Sequence, residues 1–245
     1  MVTKTITAAS AGINSFRVEV EVDVANSVPS ISIVGLPDNA VSEARERVHS
    51  AIKNSGYSFP LGRVIVNLAP ADIRKEGTNF DLPIAIGILK EQGIDIKDDL
   101  NTGFIGELSL DGSLRKINGV LPLVSGLKDS GVTTVFVPSE NAKEAALVQG
   151  VKVYGAKHLG DIVNHYLDTP IGETKVDINE YLESNAQTDF TFDFKDVKGQ
   201  QKAKKALEIA AAGGHNILMT GSPGSGKTLM AKCFASILPP LELEE

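Results

Sequence analysis

Residues 221–228, Gly-Ser-Pro-Gly-Ser-Gly-Lys-Thr, follow the G-x-x-x-x-G-K-[ST] pattern of a phosphate-binding loop. Such a loop constrains the chain on both sides, because it works only between a strand that delivers it and a helix whose N-terminus faces the phosphates. The glycines let successive backbone N–H groups turn inward, the lysine places a point charge at the β- and γ-phosphates, and the threonine hydroxyl completes a Mg²⁺ shell. Gly221, Ser222, Pro223, Gly224, Ser225, Gly226, Lys227 and Thr228 are therefore candidate ATP-binding residues, and Thr228 is the candidate Mg²⁺ contact through the nucleotide. Both flanks fit. Ile217, Leu218 and Met219 form an apolar run suited to a buried strand, and residues 227–238 place Leu229, Met230, Cys233, Phe234 and Ile237 at helical spacing. Pro239 and Pro240 are expected to stop that helix. A glycine-rich turn matching by chance is the competing reading, and the strand and helix context weighs against it.

Phosphoryl transfer needs more than a cradle. A carboxylate must hold Mg²⁺ and orient water, and an arginine must stabilise the developing charge. Neither can be fitted into residues 229–245, so no catalytic residue is expected in this chain, which reads as a motor module cut short after its phosphate loop.

The 245 residues are enough for one large domain or two smaller ones, and 42% hydrophobic content supports a core. The N-terminus lacks a signal-peptide apolar run, and no stretch approaches the roughly 20 apolar residues of a membrane span. A cytoplasmic protein with no membrane partner is expected. A single cysteine, Cys233, excludes an internal disulfide and a Cys-rich zinc site. A net charge of −7 argues against a chain-wide nucleic-acid footprint. Arg45, Arg47, Lys53, Arg63, Arg74 and Lys75 are interleaved with Glu43, Glu46, Asp72 and Glu76, and read as a solvated mixed-charge surface.

Phe16, Val18, Val20, Val22 and Val24 alternate with charged residues, which predicts a strand with one buried and one wet face. Ile31 and Ile33 suggest a second. Asp38 is expected to cap a helix striped by Val41, Ala44, Val48, Ala51 and Ile52 and closed by Gly56. A strand over 64–68 follows, then a helix over 81–92 with Asp81 as its cap. Residues 104–108 and 114–117 flank the hairpin signal Asp111-Gly112. Helices are expected over 121–129, over 139–149 with Ser139 as its cap, and over 159–167, and strands over 132–137 and 151–154. His158 and His165 read as one face of the last helix, solvated or half-packed rather than ligating. Without a strict βαβ repeat, the fold class is α/β (α+β) with a mixed sheet over residues 1–167. A polar linker over 168–189 leads to the phosphate-loop module over 190–245.

The run from Phe194 to Gln200, the alanine-rich helix after it, and the histidine before the loop resemble the opening of an AAA+ module of the magnesium-chelatase-like subgroup. In that subgroup the Val197, Gly199 and Gln200 segment lies near the adenine, so the resemblance makes these cofactor-binding candidates. Residues 32–38, 66–72, 75–83 and 106–112 are similar to the domain that precedes the AAA+ module in the YifB family. That family implies an ATP-driven homo-hexameric ring that moves on DNA, a branch-migration motor of recombination and natural transformation.

The same N-terminal domain resembles the proteolytic domain of Lon, with its ribosomal-S5 domain-2-like fold and Ser-Lys dyad. Aligning the shared segments places Asp81 where the serine stands and Leu121 where the lysine stands; a shift of register nominates Thr78 with Lys116 or Lys128. An aspartate cannot become an alkoxide nucleophile and a leucine cannot be its base, so peptidase activity is not expected. Two further readings remain, a metal-inserting motor subunit like magnesium chelatase and a non-catalytic oligomerisation or docking domain.

Overall fold

The structure, a computed structural model, describes residues 2–12, 14–96, 100–178, 181 and 192–239. It divides into two compact units, Met1–Val176 and Asp177–Glu245.

The first unit is built on a mixed sheet with helices on both faces. Its strands are β1 (Thr3–Ala11), β2 (Asn14–Ala25), β3 (Ser30–Val34), β4 (Arg63–Ala69), β5 (Thr102–Phe104), β8 (Thr134–Pro138), β9 (Lys152–Ala156) and β10 (Glu173–Thr174). The spatial order is β10-β9-β8-β5-β1-β2-β4-β3. β1, β5, β8 and β9 run parallel, whereas β2 is antiparallel to both β1 and β4. The valines at 18, 20 and 22 are buried, and Glu19 and Glu21 on the opposite face pair with Lys4 at 3.3 and 2.9 Å. That is the half-wet strand which the alternation predicts.

Helix α1 (Asn39–Asn54) buries the five predicted stripe residues, and the Asp38 carboxylate accepts the N–H of Val41 at 2.7 Å as its cap. α1 packs beside α2 (Asp81–Glu91) on one sheet face, with α5 (Leu159–Leu167) contributing to the same core. α3 (Val120–Asp129) and α4 (Ala142–Ala145) cover the other face through Val124, Leu127, Ala142 and Ala145 against Ile6, Val135 and Val153.

Several local expectations are corrected. β1 has no polar-apolar alternation to betray it: Thr5 and Thr7 are buried as fully as their neighbours Ile6, Ala8 and Ala9, and Thr5 Oγ1 donates to the Pro83 carbonyl at 2.9 Å. The 104–108 run is two strands, because Ile105-Gly106 leaves the main sheet and β6 (Glu107–Leu108) pairs with β7 (Leu114–Arg115) around the Asp111-Gly112 turn. The 139–149 helix shrinks to a 3-10 turn over Ser139–Asn141 followed by α4, and Ser139 is not a cap. Asn141 ends the 3-10 turn with its amide committed to both backbone groups of Ile117 at 2.9 Å. Residues expected in the linker include β10, paired with β9; residues 179–180 and 182–189 lie outside the described residues, as does Phe190, where the second module is expected to begin.

Gly35 shows how closely β3 and β4 leave their crossover. Its φ is +103°, and a Cβ there would run into the Leu68 carbonyl oxygen. Gly35→Ala is expected to lower the stability of the first unit by about 1–3 kcal/mol through backbone strain, with further cost from the collision. Urea unfolding reads this as a lower midpoint, and an unchanged midpoint contradicts the close approach.

In the second unit, α6 (Gln201–Gly213) and α7 (Lys227–Phe234) are joined by the phosphate loop, and Phe194, Val197, Leu207, Met230 and Cys233 form its core. Among the described residues, none is a candidate membrane-spanning helix.

Candidate functional site

The phosphate loop has the backbone its glycines allow. Gly224 and Gly226 sit at φ +78° and +85°, the left-handed region in which a side chain would strain the chain. Gly226 is the N-cap of α7, whose first residue is Lys227, and the Met230 N–H donates back to the Gly226 carbonyl at 2.9 Å. The loop therefore opens onto a helix N-terminus, where unpaired N–H groups and the helix dipole favour an anion. Lys227 Nζ donates to the carbonyls of Gly221 and Ser222, both at 2.8 Å, and to Ser225 Oγ at 3.3 Å. The ammonium is folded over its own loop, so binding a phosphate there exchanges these contacts for phosphate oxygens. Gly221, Ser222, Pro223, Gly224, Gly226 and Thr228 are exposed, with Ser225 and Lys227 half-buried.

The strand expected before the loop is not formed. Residues 215–220 carry no regular structure, and Leu218 is 88% exposed. A parallel strand gains its hydrogen bonds from neighbours on either side, and no strand among the described residues lies beside this one. The following helix is also shorter than expected: α7 ends at Phe234 and tightens into a 3-10 turn over Ala235–Ile237. Pro240, one of the two expected stop residues, lies outside the described residues.

The candidate adenine-side residues split by environment. Val197 is buried in the core beside Met230 of α7, whereas Gly199 and Gln200 are exposed and adopt left-handed backbone, φ +70° and +52°, at the corner where α6 begins. The structure thus joins this turn to the loop helix through a shared apolar cluster. His215 is exposed, and no group of three or more metal-ligating side chains occurs among the described residues.

The first unit holds the second cluster of chemistry-bearing side chains, at the positions compared with the Lon dyad. Asp81 is fully buried and does not cap its helix: Phe80 occupies the cap position, and the Asp81 carboxylate instead takes Arg47 in a two-pronged pair at 2.7 and 2.9 Å plus the Leu108 N–H at 3.1 Å. Burial pushes the Asp81 carboxyl up to about 6, against the pull of Arg47 and the Leu108 amide. Thr78 Oγ1 donates to Glu107 Oε2 rather than to either lysine proposed for it, and Leu121 is partly exposed. Lys75 is also fully buried, its ammonium on the Pro70 carbonyl and its pKa lowered by that burial. Arg47 and Lys75 thus correct the expectation of a solvated charged surface. The signal for Arg47 was present: it lies between Ala44 and Ala51 along α1, on the border of the buried stripe. An arginine-clamped aspartate offers no nucleophile for acyl transfer.

The two histidines do not form a pair. His158 caps α5, its Nδ1 accepting from the Gly160 amide at 3.1 Å and its Nε2 hydrogen-bonded to the Asp111 carbonyl at 2.9 Å. His165 packs among Phe136, Tyr154 and Tyr166 and accepts the Ile171 N–H at 3.0 Å.

With this geometry in place, known proteins supply the family. Residues 20–141 match the family described as subunit ChlI of Mg-chelatase, and residues 193–245 match magnesium chelatase, subunit ChlI. The chain belongs to the magnesium-chelatase-like AAA+ family, in its YifB branch. It is 39% identical over 98% of its length to the uncharacterized protein YifB of Salmonella typhimurium and 40% identical over 95% to the competence protein ComM of Haemophilus influenzae, covering 46% of each. The chain therefore spans about half the length of the curated relatives it matches. A weaker similarity to Lon protease 2 of Bacillus subtilis, 26% identity over 67% of this chain and 33% of that protein, agrees with the Lon-like mixed α/β fold.

Proposed function

We propose that this chain is the N-terminal part of an ATP-driven motor that acts on DNA. In this reading residues 1–167 form the Lon-like, S5-type domain, 168–189 the linker, and 190–245 the start of the AAA+ module. Residues 221–228 hold the triphosphate, Thr228 contacts Mg²⁺ through the nucleotide, and Val197, Gly199 and Gln200 lie on the adenine side. The carrying observation is the loop itself, with two left-handed glycines and Lys227 at the start of a helix, in a chain 40% identical to a competence protein over 95% of its length. That relative's name supports a part in competence, within which we place DNA processing, and an AAA+ module supports assembly as a homo-hexamer.

The phosphate loop binds and orients; hydrolysis needs a Mg²⁺-holding carboxylate on a strand beside the loop and an arginine, and residues 229–245 contain no arginine. A polypeptide of these 245 residues is therefore expected to turn over no ATP. The full-length protein is expected to hydrolyse ATP faster with DNA present, and a rate indifferent to every DNA structure tested contradicts the reading. A metal-insertion role, favoured by the ChlI family description, is the second reading; Mg²⁺ insertion into a porphyrin by the full-length protein with partner subunits would establish it.

A further inference from the structure

Besides the shared apolar cluster, the turn carrying Val197, Gly199 and Gln200 is tied to the far end of the phosphate-loop helix through the Ser236 hydroxyl. The Phe194 N–H donates to Ser236 Oγ at 2.8 Å, and Ser236 Oγ donates onward to the Cys233 carbonyl at 2.8 Å. Phe194 and Cys233 are both buried, so this bridge is anchored in the core of the second unit. On one side the turn is held tight: the Asp193 carboxylate accepts the Lys195 N–H at 2.9 Å, and the Val197 N–H donates to the Phe194 carbonyl at 3.3 Å. On the other side Ser236 lies in the 3-10 turn that closes α7, at the opposite end of that helix from Lys227.

We propose that Ser236 is a positioning residue for nucleotide binding: its hydroxyl fixes the purine-side turn against α7, so that base and triphosphate meet one preorganised surface. This rests on the ATP-site reading of residues 197–228. Ser236 takes no part in the cradle itself, whose lysine is held by Gly221, Ser222 and Ser225. Its removal therefore loosens the purine side and leaves the phosphate side intact. Preorganisation of this kind raises affinity by sparing the cost of ordering the turn on binding.

The test compares Mg²⁺-ATP with Mg²⁺-tripolyphosphate, which lacks the base, by titration calorimetry on the 245-residue chain. Ser236→Ala is expected to weaken ATP about 3- to 10-fold, the worth of one hydrogen bond, with tripolyphosphate affinity unchanged. Ser236→Thr, which keeps the hydroxyl, is expected to restore ATP affinity. Equal losses for both ligands, or no loss for either, overturn the inference, the former because it marks a general unfolding of the unit. A wild-type chain that binds tripolyphosphate as tightly as ATP also overturns it, while leaving the phosphate loop standing. A wild-type chain that binds neither overturns the site reading and this inference together.

Discussion

Replacing Arg47 by methionine is expected to destabilise the first unit by about 3 kcal/mol at pH 7, the cost of leaving a buried carboxylate without its partner. Asp81 has no exposed surface, and Arg47 supplies two of its three hydrogen bonds. The loss is expected to shrink on acidification. In the wild type the folded-state pKa of Asp81, about 6, already lies above its ordinary value of 3.8. Proton binding by this group therefore favours the fold: its contribution is fully present below 3.8 and is lost as pH rises through about 6. Without Arg47 the pull toward the charged form is gone, so the folded-state pKa rises further and recovery begins at a higher pH. Urea unfolding at pH 7.5 and 5 measures both effects. Arg47→Met with Asp81→Leu is expected to regain most of the loss, since no buried charge remains. A single variant as stable as wild type at neutral pH contradicts the account of this pair.

The second large effect is expected at the phosphate loop. Lys227→Ala removes the ammonium that would pass from the carbonyls of Gly221 and Ser222 to the phosphate oxygens. A hydrogen bond to a charged group is worth about 1.5–3 kcal/mol. ATP affinity is thus expected to fall on the order of 10- to 100-fold, with the fold of the second unit retained, because Lys227 contributes nothing to the cluster of Phe194, Val197, Leu207, Met230 and Cys233. Titration with Mg²⁺-ATP reads the affinity, and circular dichroism checks the fold. Equal affinity in the two proteins contradicts the role given to the lysine.

The parts of the fold legible in the sequence are those where one face meets water. β2 and α1 are amphipathic, and the buried residues of α1 are the stripe that its spacing predicts. β1 is central and buried on both sides, so its Thr and Ala residues carry no period, and nothing in the local sequence marks it as a strand. The strand before the phosphate loop failed for a different reason. Its residues have the right character, but a parallel strand exists only through its neighbours, and among the described residues none pairs with it.

The candidate site divides the same way. The loop is legible because its backbone geometry demands particular residues at fixed spacing, as Gly224 and Gly226 show. The Arg47–Asp81 pair joins residues far apart in sequence, and mixed charge reads by default as a solvated face. Ser236 was invisible because a single serine at a helix end carries no pattern; only its bond to Phe194 gives it a role.

The claim that the 221–228 loop is a nucleotide site is tested most directly by hydrogen exchange on the 245-residue chain with and without Mg²⁺-ATP. The account predicts slowed exchange at the backbone amides of residues 222–228, except Pro223, which has none, with no comparable change across the sheet of the first unit. Unchanged exchange in the loop at ATP concentrations that protect amides elsewhere would contradict it.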